Sequence, residues 1–129
     1  MSGVWKVLIC DSIDNIGVEI LKKAGMVVDY QPDITIEKLK SLVNGYDVLV
    51  VRSRTNVSKD VIESGNSLKV IARVGVGLDN IDTNYAESKN ITVINAQEAA
   101  TKAVSELVIG FMISLARFIP YAHSETSKG

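Results

Sequence analysis

The sequence predicts an α/β fold with a five-stranded parallel sheet. Five short apolar segments rich in β-branched residues recur along residues 1–97, and stretches with helical periodicity separate them. Strands that are apolar on both faces and alternate with helices are typical of βαβ units in a sheet covered on both sides. A longer apolar segment follows residue 97 and departs from this alternation, so it predicts a separate C-terminal helix.

The predicted strands are nearly continuous apolar runs. They are VWKVLIC (4–10), MVVDY (26–30), YDVLVV (46–51), LKVIARV (68–74) and ITVINA (91–96). Because successive side chains of a strand point to opposite faces, such runs indicate burial on both sides of the sheet.

Four predicted helices lie between these strands. They are SIDNIGVEILKKAG (12–25), TIEKLKSLVNG (35–45), SKDVIESGN (58–66) and NIDTNYAESKN (80–90). Short polar side chains precede each apolar stripe and glycine ends the first two helices, as helix start and stop signals require. The candidate N-caps include Ser12 or Asp14, Ser58, and Asn80 or Asp82.

The segment EAATKAVSELVIGFMISLARFIP (98–120) predicts one long helix that ends before Pro120, with a polar tail at 121–129. Its apolar core is too short to span a bilayer and lacks the one-sided stripe of a surface helix. A second domain or a second subunit is needed to cover it. We therefore expect the chain to be part of a longer one or to be stabilised by association.

Composition excludes several classes of function. The 14 basic and 15 acidic residues form no block of like charge, which argues against nucleic-acid or membrane partners. The single cysteine, Cys10, excludes an internal disulfide and a multi-cysteine metal site, and it favours packing in a cytoplasmic protein. With one histidine, His123, in the polar tail, we expect no metal site and no catalytic residue in this chain.

Ligands of such sheets bind outside the carboxyl ends of the strands. This rule selects Asp11 and Ser12, the Arg52-Ser53-Arg54 segment and the stretch from Arg73 to Gly77. We interpret Asp11 itself, like Asp14, as a helix cap rather than a catalytic acid.

The stretch RVGVGLDN (73–80) looks like a dinucleotide-binding turn but lacks two of its features. Asn80 stands where the third glycine belongs, and no acid follows the next strand until Glu98. The backbone N–H groups around Gly75, Val76 and Gly77 can still approach an anion such as a carboxylate. A plain tight turn is the alternative.

The stretch VVRSRT (50–55) carries two arginines that project to one side of an extended segment. Guanidinium groups suit phosphate and carboxylate, so Arg52 and Arg54, with Ser53 between them and Arg73 nearby, predict a small, multiply anionic ligand. The alternative is that these arginines form ion pairs with Asp47, Asp60 or Glu63.

Together, VVRSRTNVSKDVIESGNSLKVIARVGVGLDNIDTNYAESKNITVINA and SELVIGFMISLARFIPYAH resemble the N-terminal part of D-2-hydroxyacid dehydrogenases over essentially the whole chain. The resemblance implies that residues 1–97 are a flavodoxin-like substrate-binding domain. It also implies that residues 98–120 link to a nucleotide-binding domain and form a homodimer through 98–119. The dinucleotide fingerprint and the catalytic Arg, Glu and His of the family would follow further along, so we expect this chain alone to be inactive.

The resemblance also implies roles for individual residues. Arg52, Ser53, Arg54 and Arg73 match the family's substrate-anion contacts. Gly75 and Val76 match the turn that holds the substrate carboxylate through backbone N–H groups, and Val76 matches a position beside the nicotinamide.

The chain departs from the family where Gln97 replaces a proline and Ala100 a polar residue, which puts one substrate or hinge hydrogen bond in question. The best match is to members that oxidise 3-phospho-D-glycerate to 3-phosphohydroxypyruvate with NAD in serine biosynthesis. The alternative is a stand-alone module that binds a small anion or dimerises without catalysis.

Overall fold

The computed structural model describes residues 3–98 and 101–129 of the chain. They divide into two compact units, Met1–Ala96 and Gln97–Gly129. Ala100, one of the two departures from the family pattern, lies outside the described residues, and Gln97 is exposed.

The first unit contains a five-stranded sheet in which all neighbouring strands are parallel, with the order β2-β1-β3-β4-β5. The strands are Lys6–Ile9 (β1), Val27–Tyr30 (β2), Val48–Val51 (β3), Val70–Arg73 (β4) and Thr92–Asn95 (β5). The predicted fold class is confirmed, and this is the flavodoxin-like strand order. The order reverses at β1, so a topological switch point lies between β1 and β3.

All four predicted helices of this unit are present, each shorter than the sequence suggested. They are Asn15–Lys23 (α1), Ile36–Leu42 (α2), Lys59–Glu63 (α3) and Thr83–Ser88 (α4), with a short 3-10 turn at Val43–Gly45 after α2. Asp14 caps α1, because its Oδ1 accepts from the N–H of Ile16 at 2.9 Å. Gly25 ends that helix with a φ of 82°, and Asp82 caps α4.

Two apolar clusters form the core, one on each face of the sheet. Leu8, Leu49 and Ile71 are fully buried in the cluster that also includes residues of α2, α3 and α4. Val7 and Ile9 pack with Val18 of α1 on the other face. The central strands β1 and β3 thus bury both of their faces, as the sequence predicted. The prediction is wrong for the edge strands β2 and β5, where Val27 is 54% and Ile94 50% exposed.

The second unit contains two helices, Thr101–Ala116 (α5) and Ile119–Thr126 (α6). The prediction of one helix ending before Pro120 is wrong. Phe118 adopts a left-handed φ of 52°, which ends the first helix, and Pro120 lies in the first turn of α6, where a missing N–H costs no helical hydrogen bond. Most of the predicted polar tail, including His123, is therefore helical.

Helix α5 leaves its apolar side chains exposed within this unit; Leu107, for example, is 56% exposed. Among the described residues no single helix is long and apolar enough to cross a membrane. Helices α5 and α6 reach that length and apolarity only together, and a bend of 61° separates them.

Candidate functional site

The carboxyl ends of β1, β3 and β4 carry the loops that the sequence selected. We call residues 52–55 the arginine loop and residues 73–79 the glycine turn. A cavity of about 290 Å³ opens at the switch point, and its lining consists of Asp11, Ser12, Pro32, Asp33, Arg52, Ser53 and Arg54. The structure therefore brings the predicted residues after β1 and β3 together and adds Pro32 and Asp33, which follow β2.

Asp11 is the buried anchor of the arginine loop. Its Oδ2 accepts from the backbone N–H of Arg52 at 2.6 Å and of Thr55 at 3.1 Å, and its Oδ1 accepts from the Thr55 hydroxyl at 2.6 Å. Hydrogen bonds to an ionised carboxylate are stronger than neutral ones. The prediction that Asp11 caps a helix is wrong, since Asp14 caps α1 and Asp11 organises a loop more than 40 residues away.

Arg54 is already occupied by protein groups. Its Nη2 donates to the carbonyls of Cys10 at 2.5 Å and Pro32 at 2.6 Å, and its Nη1 donates to the carbonyl of Ile34 at 3.3 Å. Its Nε lies 3.2 Å from Oδ1 of Asp11 in an ion pair. Of the five N–H groups of the guanidinium, three are hydrogen-bonded to carbonyls and the Nε–H group lies beside Asp11, so Arg54 has little left to offer a ligand.

The acids suggested as alternative partners of these arginines bind other residues. Asp47 pairs with Lys69 at 2.6 Å, and Asp60 pairs with Lys40 at 3.3 Å. Glu63 accepts from the Tyr85 hydroxyl at 2.7 Å. The alternative of pairing with these acids is therefore wrong, and the one ion pair found for these arginines among the described residues is between Arg54 and Asp11.

Arg52 differs from Arg54 in having its side chain uncommitted. Its guanidinium has no hydrogen-bond or ion-pair partner within residues 3–98 and 101–129, and neither does the hydroxyl of Ser53. Both residues are exposed at the cavity. They are the groups of the arginine loop that a ligand could bind.

Arg73 connects the glycine turn to the arginine loop, because its Nε donates to the carbonyl of Arg52 at 3.3 Å. Its side chain also crosses the two glycines of the turn: a Cβ on Gly75 would lie 2.9 Å from Nη1 of Arg73, and one on Gly77 would lie 3.4 Å from it. Gly75 has a φ of 154°, which favours glycine. The third predicted cation thus lies between the glycine turn and the arginine loop.

The N–H groups of the glycine turn are not equivalent. That of Gly75 donates to the carbonyl of Arg73 at 3.0 Å. Those of Val76 and Gly77 donate to no group in the part of the chain that the structure describes. Val76 is half exposed, and its carbonyl accepts from Nδ2 of Asn95 at 2.5 Å. The amides of Val76 and Gly77 are therefore available to an anion, as are those of Leu78 and Asp79, which also donate to no described group.

Asn80 clamps the arginine loop from the other side, a role that the sequence did not suggest. Its Nδ2 donates to the carbonyls of Arg52 at 2.8 Å and Thr55 at 2.6 Å. Its Oδ1 is buried and accepts no hydrogen bond from the described residues. Asparagine at this position, instead of the third glycine of a dinucleotide motif, is thus explained by its contacts.

The glycine turn does not fit a dinucleotide pyrophosphate. Such a group binds at the N-terminus of the helix that follows the turn. Here the carboxylate of Asp82 takes that place and accepts from the N–H of Tyr85 at 3.0 Å, and α4 has only 6 residues. An acidic cap repels phosphate, so the geometry agrees with the sequence-based interpretation that this turn holds a smaller anion.

Comparison with known proteins identifies the family. The model of the D-isomer-specific 2-hydroxyacid dehydrogenase catalytic domain matches residues 7–128, and the chain belongs to this family of oxidoreductases. D-3-phosphoglycerate dehydrogenase of Methanocaldococcus jannaschii is 43% identical over 96% of this chain, which spans 24% of that relative. Hydroxypyruvate reductase of Thermotoga maritima is 37% identical over 97% of this chain, which spans 41% of that relative.

Solved structures give the same result. The PH0520 protein from Pyrococcus horikoshii has a TM-score of 0.85 and 30% identity, with 97% of this chain and 37% of that chain covered. An NAD+-bound 3-phosphoglycerate dehydrogenase from Entamoeba histolytica has a TM-score of 0.72 and 29% identity, with 87% and 39% covered. The chain therefore corresponds to less than half the length of these relatives.

Proposed function

We propose that this chain is the substrate-binding part of an NAD-dependent D-3-phosphoglycerate dehydrogenase. The observation that carries the proposal is the set of uncommitted anion-binding groups at the carboxyl ends of β3 and β4. These are the guanidinium of Arg52, the hydroxyl of Ser53 and the N–H groups of Val76 and Gly77, with Arg73 between the two loops. Their separation into two loops suits a ligand that carries two anionic groups.

In this proposal the phosphate of 3-phospho-D-glycerate binds Arg52 and Ser53, and the carboxylate binds the amides of Val76 and Gly77 beside Arg73. A guanidinium matches an anion with two parallel hydrogen bonds, and backbone amides suit a carboxylate. Holding both ends of a small substrate fixes the orientation of its C2 atom, which is the main contribution of a binding domain to catalysis. The relatives named D-3-phosphoglycerate dehydrogenase support this substrate.

The complete enzyme would transfer the C2 hydride to NAD+ while a histidine paired with a carboxylate accepts the hydroxyl proton. We place the catalytic groups and most of the NAD-binding surface outside these 129 residues, because the glycine turn does not fit the pyrophosphate. Val76 would lie beside the nicotinamide. We expect the chain alone to be inactive. We expect the complete enzyme to be cytoplasmic and to form a dimer through residues 98–119.

The test is an NMR titration of the chain with 3-phospho-D-glycerate, D-glycerate and NAD+. We expect 3-phospho-D-glycerate to shift the signals of Arg52, Ser53, Val76 and Gly77. D-glycerate, which lacks the phosphate, should shift only the glycine turn. Tight binding of NAD+ by this chain would contradict the assignment.

Arg52→Met should abolish the phosphate-dependent shifts, because it removes the free guanidinium. Arg117→Met, which makes the same charge change in the other unit, is the matched control and should leave the shifts unchanged. Equal effects of the two variants would show that net charge, and not the site, attracts the ligand.

The second candidate is a module that dimerises without catalysis, and the exposed apolar side chains of α5 are compatible with dimerisation in both candidates. Sedimentation of Leu107→Glu against Lys22→Glu, at an exposed position of the first unit, tests the interface: the first should dissociate a dimer and the second should not. An assay of the complete open reading frame with 3-phospho-D-glycerate and NAD+ or NADP+ separates the candidates, since only the dehydrogenase turns over.

A further inference from the structure

We infer that Asp11 and Arg54 are positioning residues, which hold the arginine loop so that Arg52 and Ser53 face the anion. Arg54 then acts through the loop and does not carry the ligand's charge. The inference rests on the proposed function for the identity of the ligand. It replaces the simpler interpretation in which every arginine near the cavity binds substrate.

The first step of the argument is the convergence of one loop on one carboxylate. Three donors from residues 52–55 reach Asp11: the N–H groups of Arg52 and Thr55 and the Thr55 hydroxyl, at 2.6–3.1 Å. The Asp11 side chain is only 3% exposed. Water therefore cannot replace these hydrogen bonds, and the backbone direction at Arg52 depends on them.

The second step is the use that the protein makes of Arg54. Its guanidinium joins the carbonyls that follow β1 and β2, those of Cys10, Pro32 and Ile34, to the loop that follows β3. The contact with Asp11 also neutralises its charge. A phosphate at the cavity would consequently be attracted by Arg52 and Arg73 more than by Arg54.

The third step is that two explanations of Asp11 predict opposite changes in anion affinity when its charge is removed. If Asp11 acted only through its charge, removing that charge beside an anion site would strengthen anion binding. If Asp11 positions the loop, removing its charge weakens the hydrogen bonds to Arg52 and Thr55 and weakens anion binding. Asp33 supplies the comparison, because it lines the same cavity but makes no hydrogen bond with the described residues.

The experiment compares Asp11→Asn with Asp33→Asn in the 129-residue chain by NMR, with 3-phospho-D-glycerate and inorganic phosphate as probes. We expect Asp11→Asn to bind about tenfold more weakly, the order expected for loss of a hydrogen bond to a charged group. Asp33→Asn should bind as tightly as the parent chain or more tightly. Unchanged or tighter binding by Asp11→Asn would overturn the inference.

Two readouts report on positioning directly. The amide proton of Arg52, which donates to a carboxylate at 2.6 Å, should resonate downfield in the parent chain and move upfield in Asp11→Asn without any ligand. During titration the Nε–H signal of Arg52 should move and that of Arg54 should stay. A moving Arg54 signal, or an unmoved Arg52 amide, contradicts the positioning role.

If Asp11→Asn fails to fold, Thr55→Val and Thr55→Ser take its place. Valine removes the hydroxyl that donates to Asp11 and should weaken binding and move the Arg52 amide, whereas serine keeps the hydroxyl and should restore both. Failure of the parent chain to bind either probe would refute the proposed function alone, because the Arg52 amide shift tests the positioning without a ligand.

Discussion

The arginine loop and the glycine turn lie side by side but owe their shapes to different forces. The glycine turn depends on a local property, the φ of 154° at Gly75 and the lack of a side chain where Arg73 crosses it. The arginine loop depends on distant residues, since Asp11 and Asn80 bind its backbone from positions about 40 residues before it and 25 residues after it. Neighbouring parts of one site can thus differ in whether their conformation is encoded locally.

This difference separates residues that shape the site from residues that are free to bind. The side chains of Arg54 and Asp11 bind other groups of the protein, whereas the side chain of Arg52 binds no described residue and lies at the cavity. Substitutions in the two groups should therefore act on different quantities, the free energy of unfolding for the first and ligand affinity for the second.

The strongest test removes the anchor of the arginine loop. Asp11→Ala should lower the free energy of unfolding by about 3 kcal/mol, the order seen when a buried ion pair loses one partner. Urea denaturation measures this change. Asp33→Ala at the same cavity should change the stability by less than about 0.5 kcal/mol. Equal losses in the two variants would mean that Asp11 anchors nothing.

The corresponding test of the glycine turn is Gly75→Ala. Its backbone conformation is strained for any side chain, and the new Cβ would displace Arg73, so we expect a loss of about 2 kcal/mol. Gly45→Ala is the control, since its Cβ would meet no atom of the described residues within 4 Å. If Gly45→Ala costs as much, the turn has no special requirement for glycine.

A third prediction concerns the thiol of Cys10, which lies in the apolar core at the end of β1, next to the anchor Asp11. Burial, followed by the charge of Asp11, raises the pKa of the Cys10 thiol from 9.0 to about 12. The folded chain keeps this proton where the unfolded chain loses it. The contribution of this protonated thiol to the free energy of unfolding is therefore fully present below pH 9. It is lost as the pH rises towards 12, by up to about 1.4 kcal/mol for each pH unit.

Urea denaturation between about pH 8 and pH 11 measures that slope. Cys10→Ala is the reference, and its free energy of unfolding should depend less on pH. A thiol reagent at about pH 8 should modify the native chain far more slowly than the unfolded one. Rapid modification of the native chain would show that the Cys10 thiol is not buried in the core.

The smallest effect on stability is expected at Arg52. Arg52→Met should change the free energy of unfolding by less than about 0.5 kcal/mol, because the guanidinium makes no hydrogen bond or ion pair with the described residues. Calorimetry with 3-phospho-D-glycerate should nevertheless detect the loss of binding. A large loss of stability would show that Arg52, like Arg54, shapes the site, and it would contradict the proposed difference between the two residues.

Most of the fold could be predicted from local pattern. The five strands, the four helices between them and the edge that carries the site follow from apolar periodicity and cap residues such as Asp14. The division of the last helix could not, because the left-handed backbone of Phe118 has no signal in its neighbours and Pro120 is compatible with either ending or beginning a helix.

The site divides in the same way. Arg52 and Ser53 stand out as residue types suited to anions at strand ends, and the resemblance to the family adds Val76. Gly75 was predicted with them, but its N–H donates to the Arg73 carbonyl. The commitment of Arg54 to three carbonyls and the role of Asn80 were not predictable, since they require knowing which strand ends meet.

Periodicity, caps and glycines act over a few residues, so the sequence by itself determines the strands and helices of residues 1–97 and the family of this chain. Whether an arginine binds a ligand or the protein depends on atoms within a few ångströms that come from remote parts of the chain. Asp11 and Arg52 are 41 positions apart, and folding places the Asp11 carboxylate 2.6 Å from the Arg52 amide nitrogen. Because hydrogen bonds act only at such distances, the distinction between binding and positioning residues arises in the tertiary structure.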